Sequence, residues 1–130
     1  MSTQQEPMAV AVARAHVEAW SNHDYDKARE SLAADVRVVA TTVDPMPPPV
    51  DLSGIEDYMG GLEEFAQGVL PGTTDVESGV GDDARALLHV TSRVKFGPDA
   101  PEMTLHGARL YLLDGNQKIK DERVIFFTQP

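Results

Sequence analysis

The sequence predicts an α+β domain, with helices in the first half lying to one side of a mostly antiparallel sheet. Three observations carry this. Apolar residues recur at helical spacing from Met8 to His23 and again from about Gly54 to Gly68. The period falls to two from Val36 to Thr41, and β-rich segments follow at 73–82, 84–96, 103–114 and 118–127. Turn-forming runs such as GPDAPE (97–102) punctuate them. With 130 residues, the chain is long enough for one domain and too short for two. That domain is expected over 8–130, behind a flexible polar tail at 1–7.

In the first helix Ala9, Ala13, Val17 and Trp20 form one apolar face, and SNHD ends it. Asp24 predicts the N-cap of a second helix, Tyr25 to Ala34, that buries Tyr25, Ala28 and Leu32. Val36, Val38 and Ala40 then alternate with Arg37, Val39 and Thr41, as a strand requires. The run DPMPPPVD (44–51) is expected to be a stiff, polyproline-like loop at the rim, because prolines donate no ladder hydrogen bond. Ser53 and Glu56 predict a capping box for a third helix, with Ile55, Met59, Leu62, Phe65 and Ala66 inward and Tyr58 at the margin.

Composition narrows the function classes. With 21 acidic and 11 basic side chains the net charge is -10, which argues against nucleic acid and anionic membranes as partners. No segment approaches the ~20 apolar residues of a membrane span. The absence of cysteine removes disulfides, thiolate metal sites and cysteine nucleophiles, and fits a reducing cytoplasm. Histidines 16, 23, 89 and 106 show no metal-ligand spacing, and no phosphate-binding loop or nucleophile elbow occurs. Neither a metal nor a cofactor is expected.

The stretch LHGARLYLLDGNQKIKDERVIFF (105–127) reads as a hairpin about a two-residue Gly115-Asn116 turn. That register sets Tyr111 opposite Lys120, Arg109 opposite Glu122, Gly107 opposite Val124 and Leu105 opposite Phe126. Arg109 and Glu122 then have three readings: an exposed pair worth at most ~1 kcal/mol, a structural ion pair, or the lining of a pocket.

The segments AVARAHVEAWSNHDYDKARESLAADVRVV, LSGIEDYMGGLEEF and ARLYLLDGNQKIKDERVIFF together resemble the nuclear transport factor 2-like superfamily, and within it the SnoaL-like proteins. The resemblance implies a cystatin-like cone: a strongly bent sheet wrapped around three helices and enclosing a mostly apolar pocket. It also implies that the face carrying Arg109, Tyr111, Glu122, Val124 and Phe126 is the concave one. Relatives include ketosteroid isomerases, epoxide hydrolases and polyketide cyclases as well as non-catalytic members, so the fold does not fix a function. Set against the isomerases, the resemblance places His16 where they keep a tyrosine, Ala40 where they keep the aspartate base, and Arg109 where they keep a protonated aspartic acid. Without a carboxylate at position 40, isomerisation by that mechanism is not expected.

The site expected on this basis is catalytic His16, Arg109 and Glu122, with Trp20, Tyr58, Tyr111, Val124 and Phe126 contacting the ligand. Histidine exchanges protons near neutrality, and arginine stabilises a developing oxyanion. The function that follows is cofactor-free isomerase, lyase or cyclase chemistry on a small hydrophobic metabolite. The alternative is a non-catalytic ligand-binding or dimerisation module, in which the polar trio satisfies itself. Val94, Leu110, Leu112, Ile119, Ile125 and Phe127 are expected on the outer face, along with His89 and His106. Apolar residues there predict a homodimer through that face.

Overall fold

The computed structural model describes residues 6–43 and 49–130. Residues 1–5 of the expected tail and 44–48 of the proline run lie outside the described residues, and with them most of the expected rim loop. The element order is α1 (Met8–Ser21), α2 (Tyr25–Glu30), β1 (Leu32–Thr42), β2 (Val50–Ser53), α3 (Ile55–Ala66), β3 (Asp75–Gly81), β4 (Arg85–Val94), β5 (Met103–Leu113) and β6 (Ile119–Gln129). The strands form one six-stranded sheet in the order β2-β1-β6-β5-β4-β3. Every pairing is antiparallel except that of β1 with β6. The sheet does not close on itself. Its inner face packs against the helices, with Val17 and Trp20 of α1, Ala28 of α2 and Met59 of α3 meeting Val36, Leu88 and Leu105.

The local signals hold where local forces decide. Asp24 caps α2 by accepting from the Lys27 backbone N–H at 3.2 Å. Pairing between distant segments overrides them elsewhere. The second helix stops at Glu30 rather than Ala34, because Ser31 accepts from the Ile119 N–H at 2.8 Å and Leu32 joins the sheet beside Ile119. Val50 and Asp51 belong to an edge strand rather than a loop, paired with Ala40 and Val39. The Ser53–Glu56 capping box does not form. Ser53 closes β2, Gly54 occupies the N-cap position with φ +88° and ψ 146°, and Glu56 instead takes a forked salt bridge from Arg29 (3.0 and 2.5 Å).

The hairpin carries the correction that matters most for the site. Its turn is longer than two residues: Asp114 N–H donates to the Lys118 carbonyl, and Gln117 adopts φ +62°. A bulge follows at Leu112/Leu113. The register therefore slips by two, setting Tyr111 opposite Glu122 and Arg109 opposite Val124. A slip of two preserves which side chains face inward, whereas a slip of one would have inverted them. The extra residue lies on β6 and turns Ile119 inward beside Leu113, so Ile119 is buried rather than outward, and Val94 joins the inward row of Leu88, Val90 and Ser92. Leu110, Ile125 and Phe127 are exposed on the outer face as expected.

The backbone at Gly54 lies in a region open almost exclusively to glycine. Gly54→Ala should lower the unfolding free energy by about 1–3 kcal/mol in urea titrations. Unchanged stability would show that the strand-to-helix junction is not constrained as described.

Candidate functional site

Between α3 and the concave side of the sheet lies a cavity of about 630 Å³. Val38, Ala40, Val124 and Phe126 of the sheet face Leu62 and Phe65 of α3 across it, so most of its wall is apolar. One end is polar, formed by Tyr58, Arg109 and Glu122. Glu56, Asp57 and Glu64 also border it and are exposed.

Strand parity delivers the two charges. Arg109 of β5 and Glu122 of β6 point inward as diagonal neighbours, 5% and 3% exposed. Arg109 Nη1 reaches Glu122 Oε2 only at 3.5 Å, a long contact for a buried ion pair. Aromatic faces supply further support. The guanidinium carbon lies 4.9 Å from the Trp20 ring centroid and 5.2 Å from that of Phe126. Desolvated stacking of this kind is worth on the order of 2 kcal/mol and leaves the in-plane N–H groups for other partners. Gly107 makes room for this pose, since a Cβ there would sit 3.2 Å from Arg109 Nε. Arg109 Nε and Trp20 Nε1 are buried without a hydrogen-bond partner.

A row of polar groups runs inward from Glu122. The Tyr58 hydroxyl donates to Glu122 Oε1 at 2.7 Å and lies 3.0 Å from His16 Nε2. His16 Nδ1 is 2.9 Å from the Ala28 carbonyl, which can only accept, so Nδ1 carries a proton. Burial pushes the His16 pKa below its ordinary 6.5, and Glu122 only partly offsets this. Burial, then the Glu122 charge, holds the Tyr58 and Tyr111 phenols well above the usual tyrosine range. Burial opposes the Arg109 charge, but Tyr111, Glu122 and Tyr58 outweigh it and raise the guanidinium pKa. Tyr111 feels both charges, although its hydroxyl makes no hydrogen bond of regular geometry.

Of the residues expected from the sequence, Arg109, Glu122, Tyr58, Val124 and Phe126 line the cavity. His16, Trp20 and Tyr111 do not, standing in the layer behind. His16 touches the wall only through Tyr58. Two contributors were missed. Phe65 packs on Trp20 and Phe126 at 5.6 Å each and borders the cavity. Gly107, an isolated glycine within a strand pattern, carried a legible signal of close approach. His89 and His106 lie on the outer face, where Nε2 of one meets Nδ1 of the other at 3.0 Å and His106 stacks on Phe127. Among the described residues no group of three or more His, Cys, Asp or Glu side chains is placed to hold a metal. No helix among them is long and apolar enough to cross a membrane.

A family model described as the SnoaL-like domain matches residues 13–122. The chain belongs to the SnoaL-like family. Solved structures agree at the level of fold. A candidate SnoaL-like polyketide cyclase from Shewanella denitrificans OS-217 is 15% identical with a TM-score of 0.72, covering 94% of this chain and 92% of its own. A candidate ketosteroid isomerase from Kribbella flavida DSM 17836 is 17% identical with a TM-score of 0.69, covering 95% and 80%. A protein with a cystatin-like fold from Silicibacter pomeroyi DSS-3 is also 17% identical at a TM-score of 0.69, covering 93% and 75%. No curated protein matches the sequence. Within this SnoaL-like chain Ala40 lines the cavity with a methyl group, so β1 supplies no carboxylate there.

Because the folded state holds His16 below 6.5, the unfolded chain binds the more protons once the pH drops below that value. Stability should therefore be full above about pH 6.5 and decline on acidification, by up to ~1.4 kcal/mol per pH unit for this one proton. His16→Gln should reduce that slope in denaturation curves between pH 7 and 5. An unchanged slope would show that His16 is not held neutral in the fold.

Proposed function

We propose that the cavity binds a small, mostly apolar molecule bearing one carbonyl or hydroxyl oxygen, and that its polar end performs cofactor-free acid–base chemistry of the isomerase, lyase or cyclase type. One observation carries this reading: a stacked guanidinium, a carboxylate and a phenol meet at one end of an otherwise apolar cavity. Arg109 offers its in-plane edge to an oxygen that gains negative charge, and in low dielectric such a donor is worth far more than in water. Glu122 and Tyr58 are in hydrogen-bond contact and exchange protons with the ligand. This assigns to them the contact role that the sequence suggested for His16. The exposed acids Glu56, Asp57 and Glu64 disfavour anionic ligands.

A non-catalytic module would have Arg109 and Glu122 neutralise one another with no third group in reach. The long 3.5 Å contact and the Tyr58 hydroxyl at 2.7 Å weigh against it. The outer face, with Leu87, Leu110, Ile125 and Phe127 exposed, is proposed to be covered by a second copy of the chain.

The chemistry can be tested without knowing the natural substrate. In D2O the protein should accelerate exchange of the α-protons of 2-tetralone, a bicyclic ketone, as followed by NMR. Replacing both charges together, R109Q/E122Q, avoids stranding either one and should reduce the acceleration by about 10²-fold or more. Exchange no faster than in buffer would remove the enzymatic reading. Light scattering at micromolar concentration should give a dimer mass, and Ile125→Lys should shift it toward monomer. A wild-type monomer would contradict the proposed partner.

A further inference from the structure

The polar row behind the cavity can be counted proton by proton. Two of its contacts, His16 Nε2 to Tyr58 Oη at 3.0 Å and Tyr58 Oη to Glu122 Oε1 at 2.7 Å, each need one proton between the heavy atoms. The third, His16 Nδ1–H to the Ala28 carbonyl, fixes the tautomer. A neutral imidazole then presents a bare lone pair at Nε2. The phenol brings one proton, and an ionised carboxylate brings none. Two contacts share one proton, so the row is one short. Without another, two lone pairs would oppose each other at hydrogen-bond distance in a fully buried place, a costly arrangement.

We propose that, as the pH falls below the ordinary histidine range, the row takes up one additional proton, shared between the Glu122 carboxyl and the His16 imidazole and passed through the Tyr58 hydroxyl. In one state the Glu122 O–H donates to Tyr58, and the Tyr58 O–H donates to a neutral His16. In the other, His16 Nε2–H donates to Tyr58, whose own proton points to an ionised Glu122. Interconversion breaks one O–H at Glu122 and one at Tyr58, and forms one O–H at Tyr58 and one N–H at His16. No atom enters or leaves, and the net charge is constant.

His16 is thereby a positioning residue rather than a catalytic one, since it never reaches the cavity. Groups facing the row are the Ala28 carbonyl from α2, Tyr58 from α3, Arg109 and Tyr111 from β5 and Glu122 from β6. Among them Arg109 links the proton to the ligand. With the proton on Glu122 the guanidinium faces a neutral acid, and its charge is available to a ligand oxyanion. With the proton on His16, the guanidinium is neutralised by the carboxylate. The ligand favoured by the first state is one whose oxygen becomes anionic, an enolisable ketone or an acidic phenol. This consequence rests on the acid–base reading of the cavity, whereas the shared proton does not.

The test needs no ligand. In 13C,15N-labelled protein, the His16 ring nitrogens, Tyr58 Cζ and Glu122 Cδ would be followed by NMR from pH 4 to 9. A shared proton requires the three to respond at one common midpoint, with Nδ1 protonated throughout. Tyr58→Phe removes the link and should lower the His16 midpoint by about one pH unit, since the imidazolium loses its acceptor. The double variant Y58F/E122Q should shift it no further than E122Q alone, because the groups act as a unit. Three separate midpoints in the wild type would overturn the proposal, and so would a His16 midpoint unmoved by Y58F. Should Y58F fail to fold, the wild-type midpoints decide the matter alone. A common midpoint in a protein that leaves 2-tetralone unexchanged would sink the enzymatic reading and keep the relay.

Discussion

Burying the Arg109 and Glu122 charges on the concave side of the sheet is the constraint from which the rest of the site follows. Removing two ions from water costs several kcal/mol each, and a 3.5 Å contact between them recovers only part of it. The remaining support comes from every layer around them. Trp20 of α1 and Phe126 of β6 set their rings against the guanidinium, Gly107 clears its path, and Tyr58 of α3 binds the far carboxylate oxygen. His16 and the Ala28 carbonyl then brace Tyr58 from behind. All three helices thus contribute an atom to the support of two strand residues.

Much of this was legible because β-strands alternate. That Arg109, Tyr111, Glu122, Val124 and Phe126 share one face follows from parity, and the resemblance implied that this face is the concave one; both readings survived an error of two residues in the register. Positions near the turn were less secure, because the irregularity reverses parity on β6 before Asp121 and turns Ile119 inward, while Leu113 keeps the parity of Arg109. Helix starts show the same division. Asp24 caps its own helix through a bond three residues away, which sequence can express. Ser53 does not, because a strand formed with β1 and a left-handed Gly54 compete for the same residues, and that contest is settled by partners distant in sequence.

Depth was the part of the site that pattern could not supply. Helical spacing places His16, Trp20 and Tyr58 on faces that look toward the sheet, but it does not say which side chain ends at a cavity wall and which stops one layer short. Tyr58, read from the sequence as marginal to its helix, is the central link, while His16 is wholly enclosed. The family likewise supplies the shell and not the chemistry. Ala40 puts a methyl group on the cavity wall, so the proposed proton traffic falls to the neighbouring strands β6 and β5, on Glu122 and Arg109.

The central claim is that the polar end of the cavity receives a ligand oxygen, and a structure of the protein with 2-tetralone bound tests it most directly. The account predicts the ketone ring among Val124, Phe126 and Leu62, with its oxygen within hydrogen-bond distance of Arg109. A ketone oriented with its oxygen toward Glu56 and Glu64, or an interior closed to it by side chains, would contradict the account.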